Sequence, residues 1–144
     1  MTAREIELAR SVFHDAIDYE RVRIHKRKWW WFQSRKITMA PDGHLWFHPD
    51  SDLFCDDFCD RDLGLQGLFI HELVHVWQHQ QGIFLPLKRH PFCRYDYSLK
   101  PGWKLDRYGI EQQAEIVRHY FLLKNKAKVP GAPVLEQYEG IMPF

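Results

Sequence analysis

The sequence predicts an α+β domain, and three observations carry that reading. Residues 63–81 form an apolar stretch at helical spacing, free of proline, with Gly82 placed as a C-terminal stop. Residues 110–124 form a second helix, in which Ile110, Ala114, Val117 and Phe121 recur at i, i+4, i+7 and i+11. Ahead of both, alternation over residues 19–25 and a turn at Pro41-Asp42-Gly43 predict short strands. The expected architecture is a small, mostly antiparallel sheet packed on two helices, in one domain over residues 1–144.

Taken in order, Thr2-Ala3-Arg4-Glu5 matches a capping box, and Ile6, Ala9, Arg10 and Phe13 follow at helical spacing, so a helix is expected over 3–16. In residues 19–25, Tyr19, Arg21, Arg23 and His25 alternate with Val22 and Ile24, a strand pattern. Lys26-Arg27-Lys28-Trp29-Trp30-Trp31-Phe32 is basic and then aromatic. Such a stretch can bind single-stranded nucleic acid, lid the core, or meet a partner protein; in a near-neutral chain the lid is preferred. Segments 36–40 and 44–48 flank the Pro-Asp-Gly turn as a hairpin, which Pro49 ends. Residues 50–62 are acidic, do not fit an EF-hand loop, and are expected to N-cap the next helix. Residues 83–109 read as a long functional loop rich in Tyr, Arg and His, and the tail as a helical turn and an extended end.

Composition bounds the rest. The chain has 144 residues, 45% hydrophobic and 27% charged, which excludes a disordered protein. A formal net charge of +1 gives no global argument for nucleic acid or anionic membrane. No apolar run is long enough to span a bilayer and the charged N-terminus lacks a signal core, so the expectation is a protein cytoplasmic as synthesised, with signal-independent export left open. Cys55, Cys59 and Cys93 make no disulfide framework and are expected as free thiols.

The chemistry concentrates at His71-Glu72-Leu73-Val74-His75. Helix positions four apart turn through about 400°, so His71 and His75 project from one face a turn apart. Two imidazoles so placed can grip one Zn²⁺, with Glu72 beside them as proton acceptor. An unpaired Glu72 would be expensive to bury, so a compensating purpose is expected. A catalytic zinc needs three protein ligands and one open position. Glu111 is the expected third ligand, and Glu115, one turn on, can accept a hydrogen bond from the non-ligating nitrogen of a zinc histidine. The reverse assignment, His79 or His90 as third ligand, and a surface pair bridging to Arg118 remain alternatives at this level.

His-Glu-x-x-His on one helix, followed by Glu-x-x-x-acid on a later one, resembles the gluzincin metallopeptidases of the thermolysin and ImmA types. That resemblance implies zinc on Glu111 and support of a histidine by Glu115; the gap from His75 to Glu111 is longer than in the thermolysin type. A closer resemblance covers roughly residues 17–82, through Val22-Arg23-Ile24-His25, Leu45-Trp46-Phe47-His48-Pro49 and His71-Glu72-Leu73-Val74-His75-Val76-Trp77-Gln78. These look like the zincin-like domain associated with bacterial contractile injection systems and their toxins, and the chain is similar to small bacterial proteins labelled Vgr-related or Rhs-element-like. The implied fold is a minimal zincin-like domain: a small sheet on an active-site helix and a second, glutamate-bearing helix. The implied activity is that of a zinc peptidase with Glu72 as general base, and strand 44–48 as the edge that pairs with a peptide. Tyr108, Tyr95, Tyr97, Arg94 and His90 are candidate oxyanion donors, Tyr108 favoured because it is tethered next to Glu111. The alternatives are a catalytically silent module that docks on a secretion or toxin complex, and zinc hydrolysis of a non-peptide amide. Expected partners are a protein or peptide substrate and a secretion-system or toxin protein; neither nucleic acid nor membrane is expected.

Overall fold

A computed structural model describes residues 1–85 and 94–144 of the chain. Helix α1 (Ala3–Phe13) starts on the expected capping box: Glu5 N donates to Thr2 Oγ1 (3.1 Å) and Thr2 N to Glu5 Oε2 (2.8 Å). Glu5 is buried, and its other oxygen accepts from Phe58 N (3.1 Å), so the cap also pins the 3₁₀ turn Phe58–Asp60. The helix is shorter than the expected 3–16, because His14 adopts φ 49° and turns the chain out of the helical region.

The sheet differs most from expectation. Residues 19–25 are not one strand: Tyr19–Arg21 is a 3₁₀ turn, anchored where the buried Tyr19 donates its hydroxyl to His14 O (2.7 Å). Only β1 (Ile24–His25) is extended, and it pairs with β2 (Leu45–Trp46) in parallel, Ile24 opposite Leu45. Leu45 N donates to Arg23 O (2.9 Å) and Phe47 N to His25 O (2.8 Å). The sheet is therefore parallel, not mostly antiparallel. The hairpin closes at a single antiparallel bridge between Met39 and Trp46. Beyond it the first arm has no free ladder groups: Ile37 O is taken by Gln33 Nε2 (3.0 Å) and Ile37 N by Ser34 O (3.2 Å). Residues 26–44 supply the long return that a parallel pair requires. Gly43 sits at φ 81°, and a Cβ there would lie 2.7 Å from His79 Cδ2, so the turn needs glycine for its backbone and for its seat on His79.

Helix α2 (Leu63–Gln80) is N-capped by Asp62, which accepts from Gly64 N (2.9 Å) and Leu65 N (3.2 Å), the capping expected of the acidic stretch. Helix α3 (Ile110–Lys124) packs along α2 in the most extensive contact between elements. Gly67 lies at their approach, where a Cβ would meet Leu122 Cδ2 at 3.2 Å. Phe69, Ile70, Leu73 and Val74 of α2 and Ala114, Ile116, Val117 and Phe121 of α3 are fully buried. Phe58 stacks on Phe69 (4.7 Å between centroids) and joins the acidic segment to this core. Within the described part of 83–109, Leu105–Arg107 forms a 3₁₀ turn. The tail folds as α4 (Leu135–Glu139), with Tyr138 buried, and an extended end. Among the described residues no helix is long and apolar enough to cross a membrane.

Candidate metal centre

The inner face of α2 brings His71 and His75 together, ring centroids 5.2 Å apart, and the first turn of α3 brings Glu111 to both. Glu111 Oε2 lies 3.4 Å from His71 Nε2 and 3.2 Å from His75 Nε2. All three side chains are buried. Glu115, one turn along α3, accepts from His71 Nδ1 through Oε2 (3.0 Å) and from Arg118 Nη1 through Oε1 (3.1 Å). Glu72 is 3% exposed, close enough for its charge to act on His71.

Two amides not anticipated from the sequence hold His75. Gln78 Oε1 pairs with His75 Nδ1 (2.9 Å), while Gln78 Nε2 donates to Ile110 O (3.0 Å) and Gln113 Oε1 (2.8 Å). Gln113 Nε2 in turn donates to Tyr108 O (2.8 Å). Both donors of Gln78 are thus committed to oxygens, so its own oxygen faces His75 and accepts from Nδ1–H. The proton belongs on Nδ1, and the Nε2 lone pair points into the cluster.

That lone pair faces a carboxylate oxygen at 3.2 Å, and a cation between them would satisfy both acceptors. His75 Nε2 is itself buried without a hydrogen bond. With bonds of about 2.0–2.1 Å, the ligand atoms of a tetrahedral zinc lie roughly 3.3 Å apart. The separations of 3.4 and 3.2 Å match that edge, and all the donor atoms lie within 4.8 Å of one another. Two imidazoles and a carboxylate are also the donor set zinc accepts. The residues fit the ion. Electrostatics agree: burial pushes the His71 imidazolium down, but contacts with Glu111 and Glu115 and the charge of Glu72 lift it to about 9. Burial raises the Glu115 carboxyl, but the hydrogen bond to His71 together with the charges of His71, Arg118 and His119 leaves it below its ordinary value. The pocket attracts positive charge.

The other sequence-based candidates are dispersed. His79 packs under Gly43, at the turn. Tyr108 is buried, its hydroxyl accepts from Lys100 N (2.9 Å), its ring meets Trp103, and no hydrogen bond joins it to the cluster. Tyr95, half exposed, lies parallel to the His71 ring at 6.3 Å. The Tyr97 hydroxyl bonds His119 Nδ1 and Tyr138 OH (2.6 Å each), and Arg94 pairs with Asp96 in solvent. Cys55 and Cys59 are free thiols apart from the cluster, and burial with the neighbouring Asp57 pushes Cys59 up to about 11. His90 and Cys93 lie outside the described residues. A cavity of about 200 Å³ opens beside His75, lined by Trp29, Trp30, Met39, Ala40, Pro41 and Leu85.

Fold and site together define a small α+β domain in which one helix offers two histidines, the next a carboxylate, and the three converge as a buried cluster suited to a cation. Comparison with known proteins places this class more closely. No protein-family model matches the chain. It is 43% identical over 130 residues to the type VI secretion system spike protein VgrG2b of Pseudomonas aeruginosa, a match that takes in 85% of this chain and 13% of that protein. The solved effector domain of Pseudomonas aeruginosa VgrG2b superposes with a TM-score of 0.77 at 39% identity, over 87% of this chain and 74% of that domain. The chain belongs to the family of the VgrG2b effector domain. It spans about an eighth of the spike protein's length.

Proposed function

We propose that the chain acts as an effector-type module of a type VI secretion system, and that its chemistry is zinc-dependent hydrolysis of a peptide bond. Family membership supports the first part. The single observation that carries the second is the pair of buried imidazole nitrogens facing one Glu111 oxygen at 3.4 and 3.2 Å, with the buried Glu72 carboxylate between the two histidines in sequence.

His71, His75 and Glu111 would hold the ion, and Glu115 and Gln78 orient the histidines through Nδ1. A bound zinc makes water a nucleophile near neutral pH and polarises a carbonyl. Glu72 takes the proton of the attacking water and passes it to the departing amine. Its burial keeps competing water away and strengthens its field on the reacting atoms. Tyr95, its ring parallel to that of His71, is our candidate donor to the developing oxyanion, since the Tyr108 hydroxyl is engaged by Lys100 N.

A second reading keeps the secretion context without turnover: a module that holds zinc, or only the shape, and docks on a spike or toxin complex. The match to a spike protein favours that context equally. Hydrolysis of a denatured protein pool by the zinc-loaded chain, stopped by a chelator and restored by zinc, separates the two. Tyr95→Phe should lower kcat about 10²- to 10³-fold with KM nearly unchanged, by loss of an oxyanion donor, and Tyr108→Phe should leave kcat intact. Zinc uptake with no turnover leaves the docking reading standing.

A further inference from the structure

The basic and aromatic stretch at 26–37 supplies no ligand to the metal centre. Trp29 is held to the body, its indole nitrogen donating to Asp42 Oδ2 (3.3 Å). The next three rings turn outward: Trp30 is 45%, Trp31 82% and Phe32 62% exposed, with Ile37 beside them at 49%. They pack on one another, Trp30 on Phe32 at 5.4 Å and Trp31 edge-on to Phe32 at 5.1 Å, as one apolar knob.

The knob is flanked in sequence by one sign of charge, with Lys26 and Arg27 over the Phe54 and Trp46 rings (4.8 and 4.9 Å) and Lys28 on Trp31 O. Residues 26–37 contain Lys26, Arg27, Lys28, Arg35 and Lys36 and no Asp or Glu. All five are exposed, and among the described residues none forms an ion pair. Part of the loop backbone is paired from within. Trp30 O accepts from Gln33 N (3.1 Å) and Trp31 O from Lys28 Nζ (3.3 Å). The buried Gln33 side chain accepts from Trp29 N (2.9 Å) and donates to Ile37 O and Trp46 O (3.0 Å each). The paired carbonyls of Trp30 and Trp31 can enter a less polar medium without being stranded.

We infer that this knob is a docking surface for an anionic phospholipid bilayer. Indole and phenyl rings seat at the headgroup level, and flanking Lys and Arg find lipid phosphates, an arrangement that suits both parts of the loop at once. A second copy of the chain would bring five like charges against five. Single-stranded nucleic acid stacks successive bases on ring faces set in sequence, whereas these rings are turned at 39° and 89° to one another. The net charge of +1 hides the patch, because the compensating acids lie elsewhere, six of the nineteen in 50–62. Trp30 belongs to both the knob and the wall of the cavity that reaches His75, so docking holds that cavity at the bilayer surface.

The test is co-sedimentation of the full chain with vesicles of phosphatidylcholine, alone or mixed with phosphatidylglycerol, at low and high salt. The expected result is binding to the mixed vesicles, weakened by salt, with tryptophan fluorescence quenched by brominated lipid. Trp31→Ala with Phe32→Ala should weaken partition about tenfold or more, and Lys28→Glu with Arg35→Glu should weaken binding to the mixed vesicles alone. The substituted side chains are exposed, so circular dichroism should be unchanged; the quenching arm uses the unaltered chain and stands without any variant. Absence of binding to mixed vesicles at low salt overturns the inference, as does binding that Trp31→Ala with Phe32→Ala leaves intact. Displacement from vesicles by oligothymidylate bound through the same residues would overturn it in favour of nucleic acid.

Discussion

Glu72→Gln should lower peptide turnover by about 10²- to 10⁴-fold, the usual worth of a positioned acid–base group, while zinc stays bound and the fold is unchanged. The substitution is nearly isosteric, so the buried site at position 72 meets no new volume. What disappears is the ability to accept a proton. The carboxamide also removes a negative charge whose field reaches His71, so zinc affinity should fall slightly, by a few-fold at most. The loss should appear in kcat with KM nearly constant, because the proton transfer belongs to the transition state. Turnover, zinc content and the thermal midpoint measured on one preparation check all three parts. A Glu72→Gln chain that hydrolyses at the unaltered rate removes Glu72 from its assigned role.

Glu111→Ala should have the largest effect on metal. A three-ligand site sharing on the order of 10 kcal/mol of binding free energy loses roughly a third of it with one ligand, or about two to three powers of ten in affinity. Zinc at about a thousand times its Kd adds about 4 kcal/mol of stability, which for a chain of this size raises Tm on the order of 10 °C. Titration calorimetry and a thermal scan with and without zinc should therefore show a clear upward shift in the unaltered chain and about a tenth to a third of it in Glu111→Ala. Glu115→Ala makes the contrast: it removes a hydrogen bond to His71 Nδ1, and a supporting group of that kind is worth about 10- to 100-fold in affinity. If Glu115→Ala proves the more damaging, the two acids exchange roles.

What the sequence made legible follows from what is local. His71 and His75 lie a helical turn apart, so their shared face could be read directly; Asp62 precedes an apolar run, so its cap could be too. Glu111 and Glu115 were legible as a pair on one face, and the structure brings the first to both histidines and the second to one. Gln78 was not singled out, because a lone amide inside a helix carries no pattern. Its only signal was position, three residues after His75 on the same face. Gln113 had no signal, since its partner is thirty-five residues away. Tyr108 was favoured for its nearness to Glu111 in sequence, yet it is extended and precedes the N-cap Gly109, so helical spacing does not aim it at Glu111, and its hydroxyl accepts from Lys100 N. The strand pairing failed for a related reason. A Pro-Asp-Gly turn predicts that its own arms meet, but Gln33 occupies the carbonyl the first arm would use, and β2 pairs with a distant strand instead. The tryptophan run was read as a lid on the core, yet Trp29 is fixed by a hydrogen bond to Asp42 and Trp31 is 82% exposed.

The central claim is that one divalent ion sits among His71, His75 and Glu111. Zinc K-edge absorption on the purified, zinc-equilibrated chain tests it most directly. The account predicts one zinc per chain with only nitrogen and oxygen neighbours at about 2.0–2.1 Å, including the outer-shell scattering of two imidazoles. Sulfur neighbours at about 2.3 Å, or a chain that retains no zinc, would contradict it.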